Sequence, residues 1–209
     1  MAEVPKLLLA STNPGKVREY RLLFEDLGYE MVTLAEEGVE EVATEAGDSY
    51  EQNARSKAAR YARSTSLTTI ADDSGLEVDA LDGEPGIHSA RFAGKDATDA
   101  DRVRVLLAKL ADVPWEKRSA RFRCVIAIGT PEGRSELCHG ECHGMIALEP
   151  SGENGFGYDP VFYLTHQDKT MAELPLEIKN RFSHRADAAL KAREILKRLG
   201  GDSVDQRGH

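Results

Sequence analysis

The 209-residue sequence predicts an α/β protein with a mixed β-sheet and flanking helices. Short apolar segments alternate with amphipathic helical segments in the first half, which is typical of parallel strands joined by helices. Two long strand-like segments, 120–130 and 134–148, are joined by the turn "PEG", which indicates an antiparallel hairpin. We expect one sizeable domain over 1–200, or one domain folded as two lobes around a cleft, with a frayed tail over 201–209.

The first strand and helix are predicted from local signals. Residues 4–10, "VPKLLLA", are apolar enough for a buried strand. Asn13 is a suitable helix N-cap, and Pro14 suits the first helical position because its missing N–H costs nothing there. Gly28 ends the apolar run that follows. The apolar residues of this run recur at helical spacing: Val17, Tyr20, Phe24 and Leu27.

The next elements are a second strand at 29–34 and a second helix. Ser49 and Gln52 have the spacing of a capping box, in which each side chain bonds the other residue's backbone N–H. This box predicts a helix that begins after Ser49 and runs to about Ser64.

Two further helices are predicted downstream. Thr98 with Asp101 forms a second capping box, and the apolar residues behind it are Val103, Leu106, Leu107 and Leu110. The last helix is expected from about His184 to Leu199. Its predicted apolar side consists of Leu190, Ile195 and Leu199.

Composition excludes several classes of protein. A net charge of -9 argues against a wide nucleic-acid-binding surface, because such surfaces depend on Lys and Arg. The apolar runs are far shorter than the roughly 20 residues that span a bilayer, and the N-terminus lacks signal-peptide features. Three cysteines do not make a disulfide framework. We therefore expect a cytoplasmic protein that binds neither membranes nor nucleic acid, although a small anionic ligand fits the charge.

The segment "TTIADDSGLEVDAL" places Asp72 and Asp73 directly after a short apolar strand, with Ser74 and Gly75 predicted as the following turn. Ionised carboxylates near a core are costly unless they are paired or bind a cation. An ordinary turn explains these residues, since Asp, Ser and Gly are common turn formers. A magnesium site explains them as well, because oxygen ligands suit Mg²⁺ that is shared with a substrate phosphate.

The segment "ASTNPGK" lies where the first strand meets its helix. Free N–H groups and the helix dipole at such a junction suit a phosphate, with Ser11 and Asn13 as donors and Lys16 as a cation. The segment is not a Walker A loop, because Val17 replaces the required Ser or Thr. A simple turn and helix cap remains the alternative.

Two later segments concentrate polar and aromatic residues. The glycine-rich stretch "GENGFGYDP" surrounds Phe156 and Tyr158, which predicts a stacking platform for a base. His184 and Arg185 open the last helix, although cations oppose the dipole at a helix N-terminus, which hints at a ligand. Glu45, in "ATEAG", is by itself expected to be an ordinary solvated charge on a loop.

The segment "CHGECHG" resembles a metal-binding motif but does not predict one. On a strand, Cys138 and Cys142 share one face while His139 and His143 share the other. The four side chains then cannot converge on a tetrahedral zinc.

Five motifs, "STNPGK", "ADDSGLEVDAL", "PGIHSARF", "FGYDP" and "SHR", occur in one order between residue 5 and about 199. Together they resemble the inosine triphosphate pyrophosphatase family, also described as dITP/XTP pyrophosphatases. The resemblance implies an elongated two-lobed α/β fold around a long central sheet, an active-site cleft between the lobes, and a homodimer. It also implies hydrolysis of deaminated purine triphosphates (ITP, dITP, XTP) to the monophosphate and pyrophosphate with Mg²⁺, or with Mn²⁺ in its place.

The resemblance implies roles for individual residues. Asp73 matches the general base, which accepts a proton from a Mg²⁺-activated water that attacks the α-phosphorus. Glu45, Asp72 and Asp73 match metal-binding acids. The residues matching substrate contacts are Ser11, Thr12, Asn13, Lys16, Ser74, Phe156, Gly157, Tyr158, Asp159, Lys179, His184 and Arg185. Gln52 departs from the pattern, because relatives often carry an acid there, and this predicts weaker metal binding.

Three other functions are compatible with parts of the pattern. A nucleotide-sensing module needs the phosphate loop and Phe156 but not the three acids together. In a scaffolding protein, none of these motifs would form a binding site. A phosphatase that releases the γ-phosphate is the closest chemical rival, and product identification separates it from a pyrophosphatase.

Overall fold

The computed structural model describes residues 4–40 and 47–205, with side chains described as far as residue 200. Five α-helices lie in these ranges: Pro14–Leu23 (α1), Tyr50–Thr65 (α2), Asp99–Lys109 (α3), Leu176–Lys179 (α4) and His184–Asp205 (α5). Seven strands lie in the same ranges: Lys6–Leu9 (β1), Glu30–Thr33 (β2), Thr68–Val78 (β3), Ser119–Gly129 (β4), Ser135–Ile146 (β5), Phe162–Leu164 (β6) and Lys169–Thr170 (β7). No helix of the described chain is both long enough and apolar enough to cross a membrane.

The strands form one mixed sheet in the order β2-β1-β3-β4-β5-β6-β7. Strand β1 pairs in parallel with both neighbours, so Leu8 lies opposite Val32 on one side and Thr69 on the other. Strands β4 and β5 are joined by a turn in which Thr130 N donates to Arg134 O at 3.0 Å. Strands β6 and β7 continue the sheet in antiparallel pairing. The predicted mixed α/β architecture is confirmed.

The chain divides into two compact units. Unit 1 contains Met1–Asp73, Val125–Gly140 and Ala186–His209, and unit 2 contains Ser74–Cys124 and Glu141–Arg185. In unit 1 the small buried face of α2 allows close packing, because a Cβ at Gly129 would lie 3.0 Å from the backbone of Ala58. Unit 2 has its own apolar core, which includes Leu76, Val78, Leu106, Leu110, Val161, Phe162 and Met171.

Helix starts agree with the capping signals. Asn13 Oδ1 accepts from the backbone N–H groups of Gly15 at 2.8 Å and Lys16 at 3.1 Å. Thr98 and Asp101 form the complete predicted box. The box at α2 is only half as predicted: Ser49 Oγ accepts from the Gln52 N–H, but the Gln52 side chain accepts from the N–H of Asp48.

Helix ends and helix faces agree less well. α1 ends at Leu23, before the predicted stop at Gly28, and α5 continues past Leu199 to Asp205. Leu190, predicted on the apolar side of α5, is 64% exposed. The buried face of α5 is instead built from small residues and one leucine: Ala188, Ala189, Ala192 and Leu196. Alanine contributes weakly to an apolar pattern, so the sequence favoured the larger residues of the neighbouring face.

The predicted turn at Ser74 and Gly75 is wrong, because β3 runs without interruption to Val78. Leu76 and Val78 are both fully buried. Their alternate spacing lets an extended chain direct both side chains into the core, and this outweighs the turn preference of Ser and Gly.

Candidate functional site

The junction between β1 and α1 lies in unit 1 and carries the predicted phosphate-binding residues. Ser11 Oγ accepts from the backbone N–H of Asn13 at 3.3 Å, and Asn13 in turn caps α1. Thr12 is exposed directly between them. The loop is therefore fixed by local hydrogen bonds, with Thr12 and Asn13 open to solvent at the positive end of α1.

Lys16, in the first turn of α1, forms an ion pair with Asp72 of β3. The distance from Lys16 Nζ to Asp72 Oδ2 is 2.8 Å, and the two side chains are 15% and 1% exposed. Lys57 of α2 donates from Nζ to the main-chain oxygen of Asp72 at 2.5 Å. A buried carboxylate needs such nearby positive charge, because its desolvation is otherwise costly. The structure thus brings a phosphate-loop cation and a predicted metal ligand together.

Asp73, the next residue of β3, is held by a residue that sequence reasoning did not assign to the site. Asn53 Nδ2 donates to Asp73 Oδ2 at 2.8 Å, and Asn53 Oδ1 accepts from the backbone N–H of Gly47 at 2.8 Å. Asn53 is 4% exposed and sits beside Ala54 on the buried face of α2. The sequence did contain a signal for Asn53, because its amide falls on the core-facing side of α2 and buried polar groups require hydrogen-bond partners.

The metal prediction rests on Asp72 and Asp73 in the described chain, because Glu45 lies outside the described residues. Within 4–40 and 47–205, no three His, Cys, Asp or Glu side chains form a group that by itself could hold a metal ion. Asp72 and Asp73 are 1% and 5% exposed and offer only oxygen atoms. Mg²⁺ is commonly held by one or two carboxylates together with substrate phosphates, so the type of donor fits it. Because β3 runs through both residues, the two side chains leave opposite faces of the strand, and no turn re-aims Asp73 towards Asp72.

The predicted base-binding segment lies in unit 2 and is organised by Asp159. Asp159 Oδ2 accepts from the backbone N–H of Phe156 at 2.9 Å and contacts Lys179 Nζ in a buried ion pair. Gly155 has a φ of +77°, and a Cβ there would lie 2.0 Å from Asp159 Oδ2. A glycine is therefore required for the loop to close around this carboxylate.

Two cations face the aromatic ring of Phe156. Lys179 Nζ lies 5.0 Å from the ring centroid, and Arg185 Cζ lies 5.3 Å from it. Arg185 Nη2 also donates to Ser74 Oγ at 3.2 Å. Lys179 and Arg185 are 2% and 1% exposed, so these cation–π contacts are made in a desolvated setting where they are stronger than at a surface.

Three other predicted substrate contacts interact with protein groups. The Tyr158 hydroxyl donates to Ser89 O at 2.9 Å, and burial raises the pKa of Tyr158 above its ordinary value. The ring of His184 stacks on Phe122 at 4.7 Å between centroids. The backbone N–H of Gly157 donates to Asp99 Oδ2 at 2.7 Å. In this structure the Tyr158 side chain anchors the segment in the core of unit 2.

The alternation predicted for "CHGECHG" is confirmed. Cys138 and Cys142 are buried in β5, whereas His139 and His143 are exposed. Burial raises the pKa of each of these thiols to about 11. The thiols are therefore protonated at neutral pH.

The predicted site residues thus form two groups. Unit 1 pairs Lys16 with Asp72 and also contains Asp73, so it brings one cation and two carboxylates together. Unit 2 joins Phe156 with Asp159, Lys179, Arg185 and Ser74, and its chemistry is that of stacking and hydrogen-bond donation.

Comparison with known proteins gives consistent matches over nearly the whole chain. Residues 7–195 match the model of the Ham1 family. A dITP/XTP pyrophosphatase of Desulforamulus reducens is 50% identical over 195 residues, which cover 93% of this chain and 96% of that protein. A dITP/XTP pyrophosphatase of Bacillus subtilis is 43% identical, with 94% and 99% covered. The solved structure of a HAM1 protein from Coxiella burnetii gives a TM-score of 0.84 at 40% identity, with 93% and 99% covered.

Proposed function

The chain belongs to the Ham1 family, and we propose that Asp73 is the general base with which it hydrolyses its nucleotide substrates. The protein is a nucleoside-triphosphate diphosphatase of the dITP/XTP pyrophosphatase type, which converts deaminated purine triphosphates to the monophosphate and pyrophosphate. The observation that carries the mechanism is the adjacent pair of buried carboxylates, Asp72 and Asp73, with Lys16 at 2.8 Å from Asp72.

Unit 1 supplies the groups for the phosphates. Thr12 and Asn13 are open to solvent at the N-terminus of α1, where hydrogen-bond donors and the helix dipole favour phosphate oxygens. The Lys16 ammonium balances the charge that grows on the leaving pyrophosphate as the bond from the α-phosphorus breaks. Lys16 already contacts Asp72, so its charge is held at the acidic pair before any nucleotide binds.

Asp73 accepts a proton from the water that attacks the α-phosphorus, and Asn53 Nδ2, which donates to Asp73 Oδ2 at 2.8 Å, holds this carboxylate in place. Asp72 and Asp73, with Glu45 as a third candidate, would hold Mg²⁺ together with the substrate phosphates. When bound, this ion would neutralise phosphate charge and lower the pKa of a coordinated water.

Unit 2 supplies the groups for the base. Phe156 offers a ring on which any purine stacks. Lys179 and Arg185 offer only hydrogen-bond donors, which match the carbonyl oxygen at C6 of hypoxanthine or xanthine and oppose the amino group of adenine. Arg185 carries five N–H donors and Lys179 carries three, so we assign the larger share of C6 recognition to Arg185.

A substrate panel with product identification tests this function. Purified protein is incubated with Mg²⁺ and ITP, dITP, XTP, GTP or ATP, and the products are separated by chromatography. We expect monophosphate and pyrophosphate from ITP, dITP and XTP, with ATP and GTP far slower. Inorganic phosphate with a nucleoside diphosphate would identify a γ-phosphatase instead, and binding with no product would identify a sensing module.

A homodimer is a separate proposal that rests on the family resemblance. Light scattering on the purified chain tests it, with an expected mass of about twice the 22.9 kDa protomer. A monomeric mass across the assay concentrations would contradict it.

A further inference from the structure

We infer that Asn53 is a positioning residue for the hydrolysis: it orients the Asp73 carboxylate and ties it to the backbone at Gly47. This inference deepens the proposed function and rests on Asp73 being the general base. Asn53 has no part in any of the motifs that carried the family resemblance.

The geometry uses both ends of the Asn53 amide. Nδ2 donates to Asp73 Oδ2 at 2.8 Å, and Oδ1 accepts from the Gly47 N–H at 2.8 Å. These two bonds determine which end of the amide faces the carboxylate, because a rotated amide would set an oxygen against Asp73 and a donor against the Gly47 N–H. The donor is thus directed at one carboxylate oxygen in particular.

The backbone of Gly47 approaches the Asn53 side chain closely, which supports a specific contact between them. A Cβ at residue 47 would lie 2.7 Å from Asn53 Oδ1, so a side chain there would displace the amide. Asn53 is 4% exposed and lies on the buried face of α2, whose other members are alanines and tyrosines, among them Ala54 and Ala58. An alanine or leucine would satisfy helix packing as well, so the amide is explained by its two bonds.

We expect Asn53 to fix the direction in which the Asp73 carboxylate points. A carboxylate on a strand can rotate about its side-chain torsions, and only some orientations aim an oxygen lone pair at an attacking water. A bond from Asn53 to one Asp73 oxygen removes most of that freedom. Loss of comparable supporting contacts typically lowers activity about 10- to 100-fold.

Two substitutions separate this role from general packing. Asn53→Asp keeps an acceptor for the Gly47 N–H but removes the donor to Asp73, whereas Asn53→Leu removes both bonds without adding charge. We expect each to lower kcat for ITP by about 10- to 100-fold with KM changed less than about threefold. Gln167→Glu, an amide-to-acid change at an exposed site, is the matched control and should retain normal kcat.

The deciding measurement is a double-mutant cycle with Asp73→Asn. If Asn53 acts through the base, Asn53→Leu, which adds no charge beside Asp73, should lower kcat by less than about threefold in the Asp73→Asn background, where no carboxylate is left to orient. Equal losses in both backgrounds, or no loss in the wild-type background, would overturn the inference. Thermal melting establishes that each protein is folded at the assay temperature, and Asn53→Ala, which also removes both bonds without adding charge, decides the question if Asn53→Leu unfolds. Wild-type protein that releases no pyrophosphate would instead refute the proposed function.

Discussion

The ammonium of Lys16 and the carboxylate of Asp72 lie 2.8 Å apart, which joins the first turn of α1 to the middle of β3. The two residues belong to different motifs and are 56 positions apart in the chain. Their contact places the cation predicted to bind phosphate beside a predicted metal ligand within unit 1. Several consequences for activity can be measured.

Lys16→Ala should lower kcat/KM by roughly 100-fold for every nucleotide, because Lys16 stabilises charge that develops on the pyrophosphate. The ratio of ITP to ATP should stay constant, since the contact is with phosphate. Steady-state kinetics on ITP, XTP and ATP measure both quantities, with Lys95→Ala, at an exposed position, as the control. A loss restricted to one base would show that Lys16 reads the base.

Asp73→Asn should lower kcat by roughly 10²- to 10⁴-fold, the usual contribution of a general base. Binding of ITP should largely persist, because most contacts to the phosphates and the base involve other residues. Single-turnover kinetics give the chemical step, and thermal stabilisation by ITP gives binding. Asp96→Asn, at an exposed position, is the control. Near-normal turnover at saturating Mg²⁺ would remove Asp73 from this role.

Arg185→Ala should narrow the difference in kcat/KM between ITP and ATP, because it removes a donor that favours a C6 carbonyl. Phe156→Ala should weaken both nucleotides alike, because stacking does not distinguish purines. Parallel kinetics on ITP and ATP measure the ratio, and Arg104→Ala, with a side chain that is 73% exposed, is the control. An unchanged ratio for Arg185→Ala would assign C6 recognition to the backbone of 156–159.

Tyr158→Phe should raise KM for all nucleotides by a similar factor. It removes the hydroxyl that donates to Ser89 O at 2.9 Å and so loosens the segment that carries Phe156. A bond of this kind contributes about 1 kcal/mol, which predicts a change of a few fold. Tyr163→Phe, which removes a hydroxyl elsewhere in unit 2, is the control. If preference among bases changes instead, the Tyr158 hydroxyl itself contacts the nucleotide.

Cys138 and Cys142 should react slowly with thiol reagents in the folded protein. Burial raises the pKa of each from 9.0 to about 11, so the thiolate fraction at pH 8 falls roughly 100-fold, from about 10% to about 0.1%. Labelling at pH 8 should therefore accelerate at least 100-fold when urea unfolds the chain, and should also accelerate as pH rises towards 11. Rapid labelling of either thiol in folded protein at pH 8 would contradict the buried, protonated state.

The structural features that the sequence predicts correctly depend on interactions within short stretches of the chain. The starts of α1 and α3 follow from Asn13 and Thr98, which bond backbone groups no more than three residues away. The same locality explains the errors, because the sequence near Ser74 favours a turn while β3 continues through it. The buried face of α5 was mispredicted because alanines, and not Leu190, fill the space available.

The sequence by itself determined the fold class, the starts of α1, α2, α3 and α5, and the motifs that identify the family, because capping, periodicity and motif order are readable within the chain. Tertiary structure alone decided what each motif residue contacts. Asn53 reaches Asp73 across 20 positions, and Arg185 reaches Ser74 across 111. Tertiary structure also placed Tyr158 in the core and paired Asp159 with Lys179. Hydrogen bonds and ion pairs act over about 3 Å in space, whatever the separation along the chain, so only the packed structure determines which groups meet.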